Sequence, residues 1–236
     1  MGLFDKFKQG LSKTKGKMDA KYPTDYARIA LAVTALGYDA SNVGGYDLLE
    51  PLQNVKSVAA QGVNGPIYAL LALDSAGYPS DVRQDYVQAI LDAQGSDGGY
   101  TWTPDAASDP DVTAMAVQAL APYMDQQKVG IAVENALMCL STMQQKDGGF
   151  VSWGSANCES AAQVILALNA AGVSLDNEYF VKNGKTVLDN LMTFRMDDGS
   201  FRHEKTDENG SAYTSEQALR ALVAIQHDDL AFFIVR

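Results

Sequence analysis

QGSDGGYTW at residues 94–102 and QQKDGGFVSW at residues 144–153 are two copies of one turn, and RMDDGSF at residues 195–201 is a worn third. Their aspartates, Asp97, Asp147 and Asp198, are 50 and 51 residues apart. Each copy follows an amphipathic helical stretch and precedes one rich in small residues. An Asp-Gly-Gly step suits a tight turn, because glycine adopts positive φ without a steric penalty. The aromatic residues that follow are expected to pack over the turn, with Trp102 and Trp153 as clamps.

The stretches after the turns align as well. Asn64–Leu73 (NGPIYALLAL), Asp111–Leu120 (DVTAMAVQAL), Glu159–Leu168 (ESAAQVILAL) and Tyr213–Leu222 (YTSEQALRAL) share an Ala-Leu ending, and an earlier copy starts at Thr24 (TDYARIALAV). These five segments are apolar nearly all round, the pattern of buried helices. More polar amphipathic helices are expected between them, at about 47–60, 80–94, 128–145 and 178–195. A unit is then a buried helix, an outer helix and a Gly-rich turn, and neighbouring units must stack to cover their apolar faces. No segment alternates with period two over a useful length, so an all-α protein is expected. An open solenoid and a closed ring both fit.

Residues 1–22 carry six Lys and two Asp, and residues 23–236 carry a net charge of −15, which divides the chain into a basic amphipathic N-terminal helix and a repeat domain. An acidic body speaks against nucleic acid as a partner, since phosphate binding needs a basic face. Leu3, Phe4, Phe7 and Leu11 share a helical face flanked by lysines, so membrane contact through residues 3–17 was weighed. A packed outer helix explains that face more simply. No apolar run is long enough to span a bilayer, and no apolar h-region marks a signal peptide, which reads as cytoplasmic. The opening fifteen residues also resemble the N-terminal helix of the bacterial signal-recognition-particle receptor, but the chain has no GxxxxGK[ST] phosphate loop.

The Gln-x-x-Asp-Gly-Gly-aromatic turn followed by an Ala-rich helix resembles the repeat of the prenyltransferase/squalene-cyclase family. The resemblance covers residues 19–227 and implies an α/α toroid, in which inner helices line a central cavity. NVGGYDLLEPL (42–52), QGVNGPIYALLALDS (61–75), DPDVTAMAVQALAPY (109–123) and KNGKTVLDNLMTF (182–194) look most like bacterial toroid modules akin to the cobalamin carriers transcobalamin and intrinsic factor. That likeness implies a small-molecule ligand, a corrinoid among the candidates, and a secreted or cell-surface setting. Six inner helices close the family's ring and five are visible here, so the expectation is a chain lacking its first inner helix and truncated at its start.

Three chemistries were weighed on these residues. Asp109-Pro-Asp111-Val-Thr113-Ala resembles the DxDDTA acid motif of terpene cyclases, which makes Asp111 the candidate general acid, although Val112 replaces an acidic position. Asp111 aligns with Thr24 and Asn64, and helix capping is the plainer role for all three. The family's zinc-binding D-x-C pair is absent at Asn157-Cys158-Glu159, so no metal is expected. Cys158 beside anionic Glu159 is a poor nucleophile. What remains is a cavity at the shared N-terminal end of the inner helices. It would gather Tyr26, Arg28, Asn64, Tyr100, Trp102, Asp111, Phe150, Trp153, Glu159, Gln163, Tyr213 and Gln217, a mixture of aromatic and polar groups of the kind that line small-molecule pockets. The sequence thus points first to a non-enzymatic module binding a small or amphipathic ligand or a peptide. A cyclase- or prenyltransferase-like enzyme and a structural interaction module stand as alternatives.

Overall fold

The structure is a computed structural model and describes residues 22–103 and 106–226. The N-terminal helix expected over residues 3–17 lies outside the described residues. Those described form two compact units, residues 22–89 and 90–226, with the division inside one helix.

In the first unit, α1 (Pro23–Ala35), a 3₁₀ turn (Glu50–Gln53), α2 (Val55–Ala59) and α3 (Asn64–Ser75) precede α4 (Arg83–Asp92), which runs into the second. α1 packs along α3. Ala27, Ala30, Leu52, Val58, Ile67, Leu70 and Leu73 are fully buried between these elements. Alanine on α1 lets the helices approach closely, and each large aliphatic residue so buried contributes roughly 1.5–3 kcal/mol. Tyr86 of α4 is also buried and donates its hydroxyl to the Leu52 carbonyl.

In the second unit, α5 (Pro110–Leu120), α7 (Cys158–Ala170) and α9 (Ala212–Gln226) are successive buried helices, with α5 packed on α7 and α7 on α9. α6 (Gln127–Met143) lies against α5, and α8 (Val187–Met192) against α7. The five buried helices thus stand where the repeat placed them. The outer helices differ at two places. The stretch 47–60 breaks into a 3₁₀ turn and α2 at Asn54, which leaves helical dihedrals (φ −88°, ψ 82°) and whose Oδ1 accepts from the Ser57 N–H as the cap of α2. The stretch 178–195 breaks at Asn183-Gly184, both at positive φ (50° and 71°). Asn-Gly is a strong turn signal, and α8 restarts after it with a capping box of Thr186 and Asp189. A two-residue antiparallel ribbon, β1 (Val151–Ser152) with β2 (Ser155–Ala156), is the one sheet among the described residues of this otherwise helical structure.

The repeated turn is built the same way each time. Asp97, Asp147 and Asp198 accept from the backbone N–H two residues on, at 3.0, 3.1 and 2.9 Å. The leading glutamine ties the turn to the next outer segment. Gln94 Nε2 donates to the Gly98 and Ala132 carbonyls, and Gln144 Nε2 to those of Gly148 and Phe180. The first glycine takes φ +84° in both strong copies, and a Cβ there would stand 2.6 Å from Asn135 O or 2.3 Å from Thr186 O. Glycine is therefore required twice over, by conformation and by the close approach of the next outer segment. Tyr100, Phe150 and Phe201 turn inward and are buried beneath.

Candidate functional site

Positions one, five and eight of each aligned buried segment fall on one helical face. In the second unit the first of these positions holds Asp111, Glu159 and Tyr213, at the N-terminal ends of α5, α7 and α9. They border a cavity of about 600 Å³, together with the β1–β2 hairpin and the loop carrying His203 and Glu204. Two other recesses, near the opposite ends of buried helices in each unit, measure about 310 and 340 Å³.

The backbone explains how these side chains meet. Trp153 and Gly154 occupy the hairpin turn at φ 52° and 81°, the signature of a type I′ connection. Trp153 is thereby lifted into solvent and is 83% exposed. One strand is tied by Ser152 Oγ to Asp109 Oδ2 at 2.6 Å, the other by Ser155 Oγ to Glu204 Oε1 at 2.5 Å. The Cys158 N–H donates to the His203 carbonyl, which brings that loop back to the start of α7. His203 Nδ1 then lies 2.7 Å from Glu159 Oε2, while buried Thr214 donates to Glu159 Oε1 at 2.5 Å. Burial alone would lower the His203 pKa; Glu159, assisted by Glu204 and Asp207, raises it above the ordinary imidazole value.

Asp111 does not cap its helix. That role belongs to Asp109, whose Oδ1 accepts from the N–H groups of Asp111 and Val112 at 2.9 and 3.2 Å. Proline at position 110 opens the helix two residues earlier than a cap at Asp111 would allow, so the cap falls to Asp109. Thr24 and Asn64 are not caps either; those positions fall to Tyr22 and Val63. Asp111 is left partly buried, with the Ser160 and Ser152 hydroxyls as the hydrogen-bonding neighbours of its carboxyl. Burial raises its pKa to about 6; the nearby Ser160 and Ser152 hydroxyls pull the other way, and the charges of Asp109 and Glu159 push it up.

Of the residues singled out in the sequence, the cavity gathers Asp111, Trp153, Glu159 and Tyr213. Tyr100 and Phe150, each 1% exposed, belong to the core under their turns. Trp102 and Trp153 do not clamp those turns: both are exposed, and Trp102 is not part of the cavity lining. Gln163 and Gln217 sit one helical turn further along, in a chain where Gln118 donates to Gln163 at 3.0 Å and Gln163 to Gln217 at 3.3 Å. Tyr26, Arg28 and Asn64 belong to the first unit, where the Arg28 guanidinium stands 4.8 Å from the Tyr68 ring centre. Sequence reasoning missed Ser152, Ser155 and Glu204 and left His203 without a place. Histidine's rarity, two in the chain, was the available signal.

Nucleophilic chemistry finds no footing at Cys158, whose thiol is pushed up to about 12 by burial and by Glu159. Among the described residues no three His, Cys, Asp or Glu side chains stand together in a way that could hold a metal ion. No helix among them is long and apolar enough to cross a membrane.

The prenyltransferase α/α toroid domain matches residues 48–231. The chain belongs to that family. Its fold class is accordingly the α/α toroid, with α3, α5, α7 and α9 inside the matched region and α1 ahead of it. No curated protein matches the chain.

Proposed function

We propose that this toroid domain is a non-enzymatic binding module that holds a small or amphipathic ligand, or a peptide segment, at the N-terminal ends of α5, α7 and α9. The supporting observation is the cavity of about 600 Å³, which combines exposed aromatic surface with a few convergent polar groups. Ligand sites of roughly 300–1,000 Å³ have that make-up. A whole corrinoid, suggested only by the likeness to cobalamin carriers, is larger than the drug-sized ligands such a volume encloses. Native mass spectrometry of the purified protein tests the proposal. A retained small molecule, at no more than one per chain and reduced by Trp153→Ala, is the expected result. A protein that carries no adduct and shows no thermal shift with any member of a metabolite library refutes it.

One observation favours a second reading, an enzyme using Asp111 as general acid: a carboxyl with a pKa of about 6 remains partly protonated near neutrality. Turnover of a prenyl substrate that disappears in Asp111→Asn, with fold and ligand binding intact, would establish it.

A further inference from the structure

We infer that the cavity takes an amphipathic cation, a protonated amine or guanidinium carried on an apolar body; this rests on the binding reading above. Three carboxylates, Asp111, Glu159 and Glu204, line the cavity, and Asp109 stands behind them through Ser152. Among the described lining residues the only basic side chain is His203, which Glu159 already holds. Helix N-termini ordinarily favour anions, but these ends are already occupied. Asp109 caps α5, Asn157 Oδ1 accepts from Ser160 N at 2.8 Å on α7, and Ser211 Oγ from Thr214 N at 3.2 Å on α9. The charge left facing the cavity is negative.

Two further features go beyond an acidic cluster. Asp111 Oδ1 has under 1 Å² of exposed surface, and what stands beside its carboxyl is the Ser160 and Ser152 hydroxyls, with no ion pair among the described residues. A buried carboxylate in that state gains from any cation placed beside it, because desolvation is what disfavours its charged form. At the rim, Trp153 is 83% and Tyr213 68% exposed. Aromatic faces attract ammonium and guanidinium groups and also cover apolar carbon.

The test uses Trp102→Phe protein, in which Trp153 is the sole tryptophan reporter. Its emission is titrated with 4-phenylbutylammonium, 4-phenylbutanol and 4-phenylbutyrate, which share a ring and chain and differ in charge. Saturable binding of the ammonium, at least tenfold tighter than the alcohol and lost as salt is raised, is expected, with no response to the carboxylate. Glu204→Gln should weaken the ammonium several-fold and leave the alcohol unchanged. A Gly-Gly-Lys amide that binds more tightly than phenylbutylammonium would assign the cation to a peptide; the reverse order would assign it to a free amine. Equal affinity for ammonium and alcohol, or preference for the carboxylate, overturns the cation and leaves the cavity reading standing. Silence toward all the probes also overturns it, and the binding reading is then decided by the native mass spectrum.

Discussion

Replacing Asp111 with Asn separates a carboxylate held against its desolvation cost from one that stabilises the fold. The Asp111 pKa moves from 3.8 to about 6 on folding. At about 1.4 kcal/mol per unit, that rise of about 2 units means ionised Asp111 costs the folded state up to about 3 kcal/mol. The sign follows from proton counting: between pH 4 and 6 the folded chain binds more protons than the unfolded one. Asp111 therefore contributes stability below pH 4 that is lost as pH rises through 6. Asn keeps the shape and carries no charge. Asp111→Asn should then exceed the wild type by as much as about 3 kcal/mol at pH 7.5, and the gap should close toward pH 4. For a chain of this size the gain at pH 7.5 corresponds to roughly 6–12 °C in Tm. Urea unfolding followed by circular dichroism at half-unit pH steps measures this directly. A variant less stable than wild type at pH 7.5, or a difference that does not change with pH, would refute the reasoning and give Asp111 a structural role.

Asp109→Ala should behave in the opposite way, losing about 1 kcal/mol for the cap and more for the stranded Ser152 hydroxyl, with the loss present at pH 7.5 in the same unfolding assay. Gly148→Ala places a Cβ 2.3 Å from the Thr186 carbonyl at φ +84°, whereas Gly154→Ala, at φ +81°, meets open space. The first should cost well over 2 kcal/mol and the second only the backbone penalty of about 1–2 kcal/mol, as thermal unfolding would show. Glu159→Gln removes the main partner that raises the His203 pKa, so the imidazole resonance followed by NMR should titrate at lower pH in the variant; an unchanged midpoint would break the Glu159–His203 pairing.

The buried helices were legible because their signal is redundant: five segments share one apolar pattern, and each is long enough for periodicity to speak. The broken outer segments were less so. Asn54 and Asn183-Gly184 are local breakers, and an amphipathic pattern running through them outweighed signals that the backbone obeys. The site was half legible. Asp111, Glu159 and Tyr213 share an aligned position, so the repeat itself carried them to one end. Trp153 was expected both as a turn clamp and as a cavity residue, and only the second agrees with the structure: its φ of 52° aims the ring outward, and the sequence hints at that only through the following glycine. Ser155, His203 and Glu204 lie in connections outside the alignment, and their meeting with Glu159 depends on a backbone bond from Cys158 to His203. The cap fell to Asp109 and not to Asp111 because Pro110 opens the helix two residues earlier than a cap at Asp111 would allow.

The division of labour within each repeat explains why the site lies where it does. The positions that match between copies are spent inside the fold: Gln94 and Gln144 clamp the turns, Asp97 and Asp147 close them, Gly98 and Gly148 admit the neighbouring outer segment, and Tyr100 and Phe150 fill the core. A change at any of these strains the repeat, which holds them to one chemistry. The first position of the buried segments bears no duty shared by the copies, and there they diverge: Asp111, Glu159 and Tyr213 in the second unit. Side chains that differ between copies of one scaffold, all brought to the same end, are the ones free to answer to something other than the fold. Asp111, Glu159 and Tyr213 of this cavity are of that kind. A ligand that tolerated every change at the first position would leave the proposed function without support, whereas exchange of Glu159 and Tyr213 for the threonine and asparagine of the first two copies (Thr24 and Asn64) should spare the helices and abolish cation binding.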